Sequence, residues 1–194
     1  VSFGTSVPAG RENITAVENV LRQAAQDKIF ISAFTSPTIR RILRERGETV
    51  YSPAEALEAL RSRGVTEVLL QPTHILRGHE YDKLKREAAP WRDRFDSLRV
   101  GNPLLSDTED LRALAAGLSA AYPQQNGETL VLFGHGTDHA ADLVYPALQT
   151  AFRLAGRTDV LVGTVEGWPA FGDVLAQLKG GKTVHLVPLM LVAG

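Results

Sequence analysis

The sequence predicts an α/β fold with two similar lobes, each a parallel sheet flanked by helices. Apolar runs of strand length alternate with helical patterns along the 194 residues. Most of these runs are continuous, which is typical of parallel strands buried on both faces. Strand–helix repetition favours right-handed crossovers, and short patterns recur in the two halves. We place the lobes at residues 1–115 and 116–194.

Seven strands are expected from the apolar, β-branched runs. In chain order they span residues 1–4, 28–34, 66–72, 98–101, 129–134, 159–166 and 183–191.

Helical patterns fill the intervals between these strands. Residues that share an apolar helix face in the first two intervals are Ile14, Val17, Leu21, Ala24, Ile39, Ile42 and Leu43. Ser52 and Glu55 have the spacing of a capping box, with Pro53 in the first turn. Ser106 and Glu109 repeat that spacing before a helix with Leu111, Leu114 and Leu118 on its apolar face. The next helix, over about residues 139–155, should bury Leu143, Leu148 and Phe152.

The two halves of the chain resemble each other locally. VSFGTS at the start parallels VLFGHGT at 131–137, and LLQPTHILRGHE at 69–80 parallels HLVPLMLVAG at 185–194. In the second pair a glycine follows a proline by six residues, as Pro72 with Gly78 and Pro188 with Gly194. These matches predict two βα units of similar build, facing each other across a cleft.

Composition excludes several classes of function. The net charge is -1 and no basic block occurs, so nucleic acid is not an expected partner. No apolar run is long enough to span a membrane. Zero cysteines exclude disulfides, thiolate metal ligands and cysteine nucleophiles. We expect a cytoplasmic protein, or a periplasmic one if a signal peptide precedes Val1. Whether it forms a homo-oligomer stays open.

The candidate site lies at the predicted carboxyl ends of the strands, where parallel α/β sheets bind ligands. His135 stands there between Gly134 and Gly136; Thr5, Ser6, Glu166 and the segment after Pro72 hold similar positions. The sequence GHGTDH does not complete a dinucleotide fingerprint, and the serine-hydrolase and zinc-protease motifs are absent. An imidazole on a glycine-flanked turn can serve as a metal ligand or as a base near neutral pH.

Six segments together resemble the anaerobic cobalt chelatases, the sirohydrochlorin cobaltochelatases of CbiK type. They are VSFGTS, AFTS, LRVGNPLLS, FGHGTDHAADLVYPAL, VGTVEGWP and VHLVPLMLVAG, in consistent order along nearly the whole chain. The resemblance implies a class II chelatase-like fold whose two α/β lobes enclose a tetrapyrrole cleft. It also implies an enzyme that inserts Co²⁺ into sirohydrochlorin, without ATP, in anaerobic cobalamin biosynthesis.

The resemblance also assigns residues. The histidine of the GHG turn, here His135, is implied as the principal metal ligand and base. Glu80, in the stretch GHEY, and Glu166, in VEG, match the family's glutamates, so the implied catalytic and metal-binding set is His135, Glu80 and Glu166. His79 stands where some relatives are expected to carry aspartate. A second metal histidine is implied just after Gly194. Because the chain also opens on VSFG, which reads as the second half of a strand, and closes on the apolar run TVHLVPLMLVAG, we expect the natural protein to extend beyond both ends of this sequence.

The implied chemistry is the loss of two pyrrole protons as a divalent metal enters the ring. Imidazole and carboxylates both bind Co²⁺ and accept protons. Sirohydrochlorin and the metal are therefore the expected partners, and Ni²⁺ or Fe²⁺ are alternative metals. Haem stays an unsupported alternative, at most through His79 beside Glu80. The carboxylates of sirohydrochlorin favour basic groups around the cleft, for which Arg11, Arg40 and Arg41 are candidates.

Plainer interpretations apply to the other candidates. His185 is expected to be a satisfied core histidine, His74 to cap a backbone group, and His139 either to support the metal site or to begin a helix. Glu166 could instead cap a helix. Trp91 and Trp168 are expected to pack, although Trp168 could stack on a flat ligand. The run REAAPWRDRFD is expected to be a solvated helix face. A tetrapyrrole or metal carrier without turnover is the alternative function.

Overall fold

The computed structural model describes residues 1–178, 180 and 183–192. The chain divides into two units. The first contains Val1–Leu104 together with Leu191 and Val192, and the second contains Leu105–Met190. Residues 105–115, placed in the first lobe from sequence, fall in the second unit, because Thr108–Ala121 is one continuous helix that packs against the helix Val144–Leu154.

The α-helices and β-strands are numbered in chain order. They are α1 (Pro8–Ala25), α2 (Pro37–Glu45), α3 (Pro53–Ser62), β1 (Glu67–Leu70), α4 (His79–Ala88), β2 (Ser97–Val100), α5 (Thr108–Ala121), β3 (Glu128–Gly134), α6 (Val144–Leu154), β4 (Val160–Thr164), α7 (Phe171–Gln177) and β5 (Thr183–Pro188). Short 3₁₀ helices span Ala89–Arg94 and Ala140–Leu143.

The second unit contains the expected parallel sheet. Its strand order is β4-β3-β5, and both pairings are parallel. Val174 of α7 packs on Val131 and Leu161. Helix α6 lies against β4, where the Gln149 amide donates to the Val160 carbonyl at 2.7 Å and accepts from the Val162 N–H at 2.8 Å. Those side-chain bonds satisfy backbone groups at the outer edge of β4, which stabilises the strand that precedes Glu166.

The first unit is also parallel, but its first two predicted strands are shorter than expected. Strands β1 and β2 pair in parallel. The predicted strands at 1–4 and 28–34 form only isolated parallel bridges, Ser2 with Phe34 and Ala33 with Tyr51. The pairing is brief because Gly4, at φ +94°, turns the chain after three residues, and its close approach to the Phe34 ring leaves no room for a side chain.

Burial on both faces, expected for most strands, is confirmed for β3 and β4 and is wrong for β1 and β5. Helices α3 and α4 cover only one face of β1, at Val68 and Leu70, and Leu69 is 56% exposed. Strand β5 lies at the edge of its sheet, and Leu186 is 65% exposed. A continuous apolar run in the sequence therefore does not tell a strand that is buried on both faces from one that is buried on a single face or lies at the sheet edge. The repeat position Gly194 lies outside the described residues.

Two local predictions about helix starts had different outcomes. The Ser52–Glu55 capping box is confirmed, with the Glu55 N–H donating to Ser52 Oγ at 3.2 Å. The cap of α5 is Asp107 instead of Ser106, because its carboxylate accepts the N–H groups of both Glu109 and Asp110. A carboxylate there also complements the positive end of the helix dipole.

Leu143 was expected to face the core but is 68% exposed. It ends the 3₁₀ turn Ala140–Leu143, whose periodicity of three residues per turn shifts it off the apolar face of α6. Leu148 and Phe152, on the regular helix that follows, are fully buried as predicted.

Candidate active site

His135 and Glu166 lie side by side in the second unit, at the carboxyl ends of neighbouring parallel strands. His135 follows β3 directly, and Glu166 comes two residues after β4. His135 Nδ1 is 3.7 Å from Glu166 Oε2, and the two side chains are 66% and 69% exposed. The structure thus places an imidazole and a carboxylate next to each other and open to a ligand, and Glu166 does not cap a helix.

Backbone contacts bring the two loops together. The Val165 N–H donates to the Gly134 carbonyl at 3.0 Å, and the Glu166 N–H donates to the His135 carbonyl at 2.8 Å. Gly136, at φ +83°, then turns the chain so closely over Gly167 that a Cβ at Gly136 would overlap the Gly167 backbone nitrogen. Glycine is needed here for both its conformation and its size.

Asp142 is a site residue that sequence analysis missed. Its carboxylate accepts the Thr137 N–H at 3.0 Å and the Trp168 N–H at 2.7 Å, so it joins the loop after β3 to the loop after β4. Its position in the first turn before α6 was the only sequence signal, and that signal does not distinguish it from an ordinary helix-start carboxylate. The contact depends on how the two loops meet in three dimensions.

Replacement of Asp142 with alanine should loosen the His135–Glu166 pair. Two backbone N–H groups would lose a charged acceptor, at a cost of about 2 kcal/mol in the free energy of unfolding. Denaturant unfolding measures that cost, and a chelation assay should show a slower reaction. Asp27→Ala, in an exposed turn of the first unit, is the control. Equal stability of the two variants would contradict the bridging role.

Tyr145 lies beneath the same turn. Its ring would collide with any side chain at Gly134, and its hydroxyl accepts the Gly136 N–H at 3.3 Å. Burial raises the pKa of Tyr145 above its ordinary value; the hydrogen bond from Gly136 opposes this and the charge of Asp142 adds to it. The hydroxyl therefore stays protonated at neutral pH and acts as a rigid support for the turn.

His139 begins the 3₁₀ turn before α6, in line with the helix-start alternative. Its Nδ1 accepts the Ala141 N–H at 3.0 Å, and its own N–H donates to Thr137 Oγ1 at 3.2 Å. Since Nδ1 is engaged in capping, this nitrogen does not face a ligand.

Glu80 lies in the first unit, in the first turn of α4. Its Oε2 accepts the Thr35 hydroxyl at 2.8 Å, and the Lys83 ammonium is 3.8 Å from the same oxygen. The side chain is 37% exposed, so it can meet both these partners and a ligand. His79, its neighbour at the start of α4, is exposed, as expected.

The imidazole of His74 has no hydrogen-bond partner on either nitrogen among the described residues, so its expected capping role is wrong. The backbone carbonyl of His74 does form a hydrogen bond: it accepts the Leu104 N–H at 3.0 Å. Burial first, then the positive charges of the Val1 amino group and of Lys83, lower the pKa of His74 to about 4, while the charge of Glu80 opposes the shift.

Stability should therefore fall as the pH drops from about 6.5 toward 4. The folded state keeps His74 neutral in that window while the unfolded chain, with an ordinary histidine pKa, binds a proton. The free energy of unfolding of the natural chain and of His74→Gln, measured across this range, tests the prediction. The variant should lose part of the pH dependence, and identical profiles would contradict the assignment to His74.

His185 was expected to be buried and is instead exposed on the edge strand β5. Its Nε2 is 2.9 Å from Glu128 Oε2, and its side chain is 49% exposed. The exposure of His185 has the same cause as that of Leu186. Both lie on the edge strand β5, and no described residue covers them. The pair lies near the amino end of β3, whereas His135 follows the carboxyl end of the same strand.

The two tryptophans differ. Trp91 packs against the core cluster of the first unit, as expected, whereas Trp168 is 57% exposed and its expected packing is wrong. Its backbone N–H donates to the Asp142 carboxylate, and its ring is exposed beside the loop that carries Glu166. The charged residues around Trp91, such as Arg92 and Asp93, are solvated as expected.

The three candidate arginines have different surroundings. Arg40 donates to the carbonyls of Phe34 and Thr35, at 2.6 and 3.2 Å. Arg41 forms a surface pair with Glu45 at 2.7 Å. Arg11 lies over the Phe34 ring and lines an open groove of about 610 Å³, with Nη1 buried and without a hydrogen-bond partner among the described residues. Its Nη2 lies 3.6 Å from Glu48 Oε2, so this guanidinium is already paired with a carboxylate.

The described residues show neither a preformed metal cluster within a unit nor a membrane-spanning helix. Within either unit, they contain no group of three or more histidine, aspartate or glutamate side chains placed to hold a metal ion. None of the helices in the described ranges is long and apolar enough to cross a membrane.

Comparison with protein families gives one full-length match. Residues 1–194 match the family model described as cobalt chelatase (CbiK). A sirohydrochlorin cobaltochelatase from Salmonella typhimurium is 39% identical over 202 residues, which cover 100% of this chain and 75% of that protein. Sirohydrochlorin cobaltochelatase CbiKC from Nitratidesulfovibrio vulgaris is 32% identical, with 100% of this chain and 70% of that protein covered.

Solved structures agree on the fold. SirB from Bacillus subtilis with Fe³⁺ superposes with a TM-score of 0.69 at 16% identity, covering 100% of this chain and 75% of that one. The sirohydrochlorin chelatase SirB from Bacillus subtilis subspecies spizizenii, in complex with cobalt, gives 0.67 at 15% identity, with coverages of 100% and 74%. The two-lobed α/β fold predicted from sequence is the fold of these chelatases.

Proposed function

The chain belongs to the CbiK family of cobalt chelatases, and on that premise we propose that it inserts Co²⁺ into sirohydrochlorin without ATP, with His135 as metal ligand and proton acceptor. The observation that carries the proposal is the open His135–Glu166 pair, 3.7 Å apart, at adjacent strand ends of a chain that matches this family along its whole length.

The pair suits both halves of the reaction. Two pyrrole N–H protons must leave the macrocycle as the divalent metal enters it. A neutral imidazole nitrogen and a carboxylate oxygen are both ligands for Co²⁺, a metal of borderline softness. Each can also take a proton from a pyrrole N–H when it is close to the ring nitrogens. We assign His135 and Glu166 both roles.

The openness of the pair favours transfer over storage. A closed site with four protein ligands holds a metal permanently, as structural zinc sites do. His135 and Glu166 offer two ligands, and both side chains are about two-thirds exposed at 66% and 69%. Coordination positions are therefore left for water and then for pyrrole nitrogens, so that the ion can move to the macrocycle.

Glu80 is proposed as the further carboxylate in this reaction, as a metal ligand or proton acceptor. The support comes from its own unit, where the Thr35 hydroxyl donates to one carboxylate oxygen, the Lys83 ammonium lies 3.8 Å from it, and the side chain stays partly exposed. A carboxylate with one oxygen engaged retains lone pairs on the other for a metal or a proton.

Co²⁺ is the proposed metal substrate, on the names of the relatives. Imidazole and carboxylate ligands do not by themselves distinguish Co²⁺ from Ni²⁺ or Fe²⁺, because affinities follow the Irving–Williams order and supply decides occupancy. Ni²⁺ and Fe²⁺ are therefore tested beside Co²⁺ in the same assay.

The experiment follows the absorbance of sirohydrochlorin as Co²⁺ enters, without nucleotide and with the rate of spontaneous insertion subtracted. Sirohydrochlorin is supplied at a large excess over protein. We expect the product to exceed the protein concentration many times over. A change that stops at one equivalent per chain would favour the carrier alternative, and no acceleration over the spontaneous rate would overturn the proposed function.

A further inference from the structure

We infer that Thr35 is a positioning residue for Glu80, and that its hydroxyl sets the orientation in which this carboxylate meets the metal or a pyrrole proton. The inference rests on the proposed function, in which Glu80 takes part in metal insertion. Thr35 lies in AFTS, one of the segments that carry the family resemblance, but that resemblance assigns it no role, and it stands 45 residues before Glu80.

The contact between the two residues is short and sheltered on one side. The Thr35 hydroxyl donates to Glu80 Oε2 at 2.8 Å, within the usual range for an O–H···O bond to a carboxylate. Thr35 is 1% exposed, whereas the Glu80 side chain is 37% exposed. A buried donor therefore holds one oxygen of a partly open carboxylate.

The backbone of Thr35 is itself held in place from several directions. Its N–H donates to the Ser2 carbonyl at 2.9 Å. Its carbonyl accepts both Arg40 Nη1 and Lys83 Nζ, each at 3.2 Å. A hydroxyl on a backbone fixed at both its N–H and its C=O is a rigid donor. The packing that buries Thr35 further limits its rotamers.

Lys83 contributes a nearby positive charge but does not orient the Glu80 carboxylate. Its ammonium is 3.8 Å from Glu80 Oε2, which is beyond hydrogen-bonding distance, while it donates to the Thr35 carbonyl. The hydrogen bond that orients the Glu80 carboxylate is thus the one from Thr35. Glutamate has three rotatable side-chain bonds, so without this donor the carboxylate would sample more rotamers.

Such preorganisation should appear in the rate of insertion. A group held in its reactive geometry has less to reorganise during the reaction, and small misplacements are costly in rate. Thr35→Val keeps the shape of the side chain and removes the hydroxyl. We expect it to slow insertion about tenfold, the size expected for the loss of a hydrogen bond to a charged group. Thr35→Ser, which keeps the hydroxyl, should recover most of the rate.

A double-mutant cycle separates positioning from packing. Thr35→Val is compared in the natural chain and in Glu80→Ala, with single-turnover insertion as the readout and thermal melting as the check on folding. If Thr35 acts through Glu80, its replacement should change the rate by less than about twofold once Glu80 is alanine. Thr38→Val, at an exposed position on α2, is the control and should match the natural chain.

The outcomes are distinct. An equal slowing by Thr35→Val in both backgrounds would mean a structural role and would overturn the inference, as would an unchanged rate in the natural background. A Thr35→Ser rate as low as that of Thr35→Val would also overturn it. Failure of the natural chain to insert Co²⁺ at all would instead overturn the proposed function, and this inference with it.

Discussion

His135→Ala should lose metal insertion by roughly a thousandfold or more while the protein stays folded, since the change removes the proposed metal ligand and proton acceptor. The side chain is 66% exposed and follows the last residue of β3, so it contributes little packing. Its removal should change the free energy of unfolding by no more than about 0.5 kcal/mol. Insertion rate and melting temperature are measured on the same sample.

His185→Ala is the matched control for this change. His185 is also an exposed histidine beside a glutamate in the second unit, with Nε2 2.9 Å from Glu128 Oε2, but at the other end of β3. It should insert Co²⁺ at the natural rate. A His135→Ala protein that remains active, or that is inactive only because it has unfolded, would refute the role of His135.

Gly136→Ala should strongly destabilise the protein. The new Cβ would overlap the backbone nitrogen of Gly167 and lie 2.8 Å from its Cα and 2.9 Å from Thr164 Cβ. The position also requires φ +83°, which L-residues with a side chain rarely adopt. Strain and overlap together should cost about 3 kcal/mol, or roughly 10 °C in melting temperature for a chain of this size.

Gly127→Ala is the control, because Gly127 has nearly the same backbone angle, φ +79°, with no atom within 4 Å of the added Cβ. It should lose only about 1 kcal/mol, from strain alone. Gly136→Ala should also slow insertion, because the displaced segment begins at Gly167, directly after Glu166. Equal losses of stability in the two variants would show that the close approach of the two loops contributes nothing.

Much of the fold was predictable because local patterns and global structure agree. The strands β1 to β5 fall inside or within one residue of predicted runs, and the Ser52 cap and the buried Leu148 and Phe152 follow from spacing alone. The errors occur where one sequence pattern is compatible with two different structures. His185 and Leu186 lie in an apolar run that serves equally well for a central strand or an edge strand.

The candidate site was predictable in part. A histidine between two glycines at the end of a buried strand indicated His135, and the family resemblance added Glu166 and Glu80. The supporting residues could not be found this way. Asp142 acts by joining two loops, and Thr35 acts by meeting a carboxylate 45 positions later. Neither has a neighbour in sequence that signals its partner.

The sequence by itself determined the α/β class, the parallel strands, the family and the histidine at the end of β3. Those features depend on periodicity, apolar content and short motifs, which are local properties of the chain. Only the tertiary structure decided which strands are edges, that His135 lies 3.7 Å from Glu166, and which hydrogen bonds hold the loops and Glu80. These depend on contacts between residues far apart in the chain, whose distances are set by how strands and helices pack and not by any single segment.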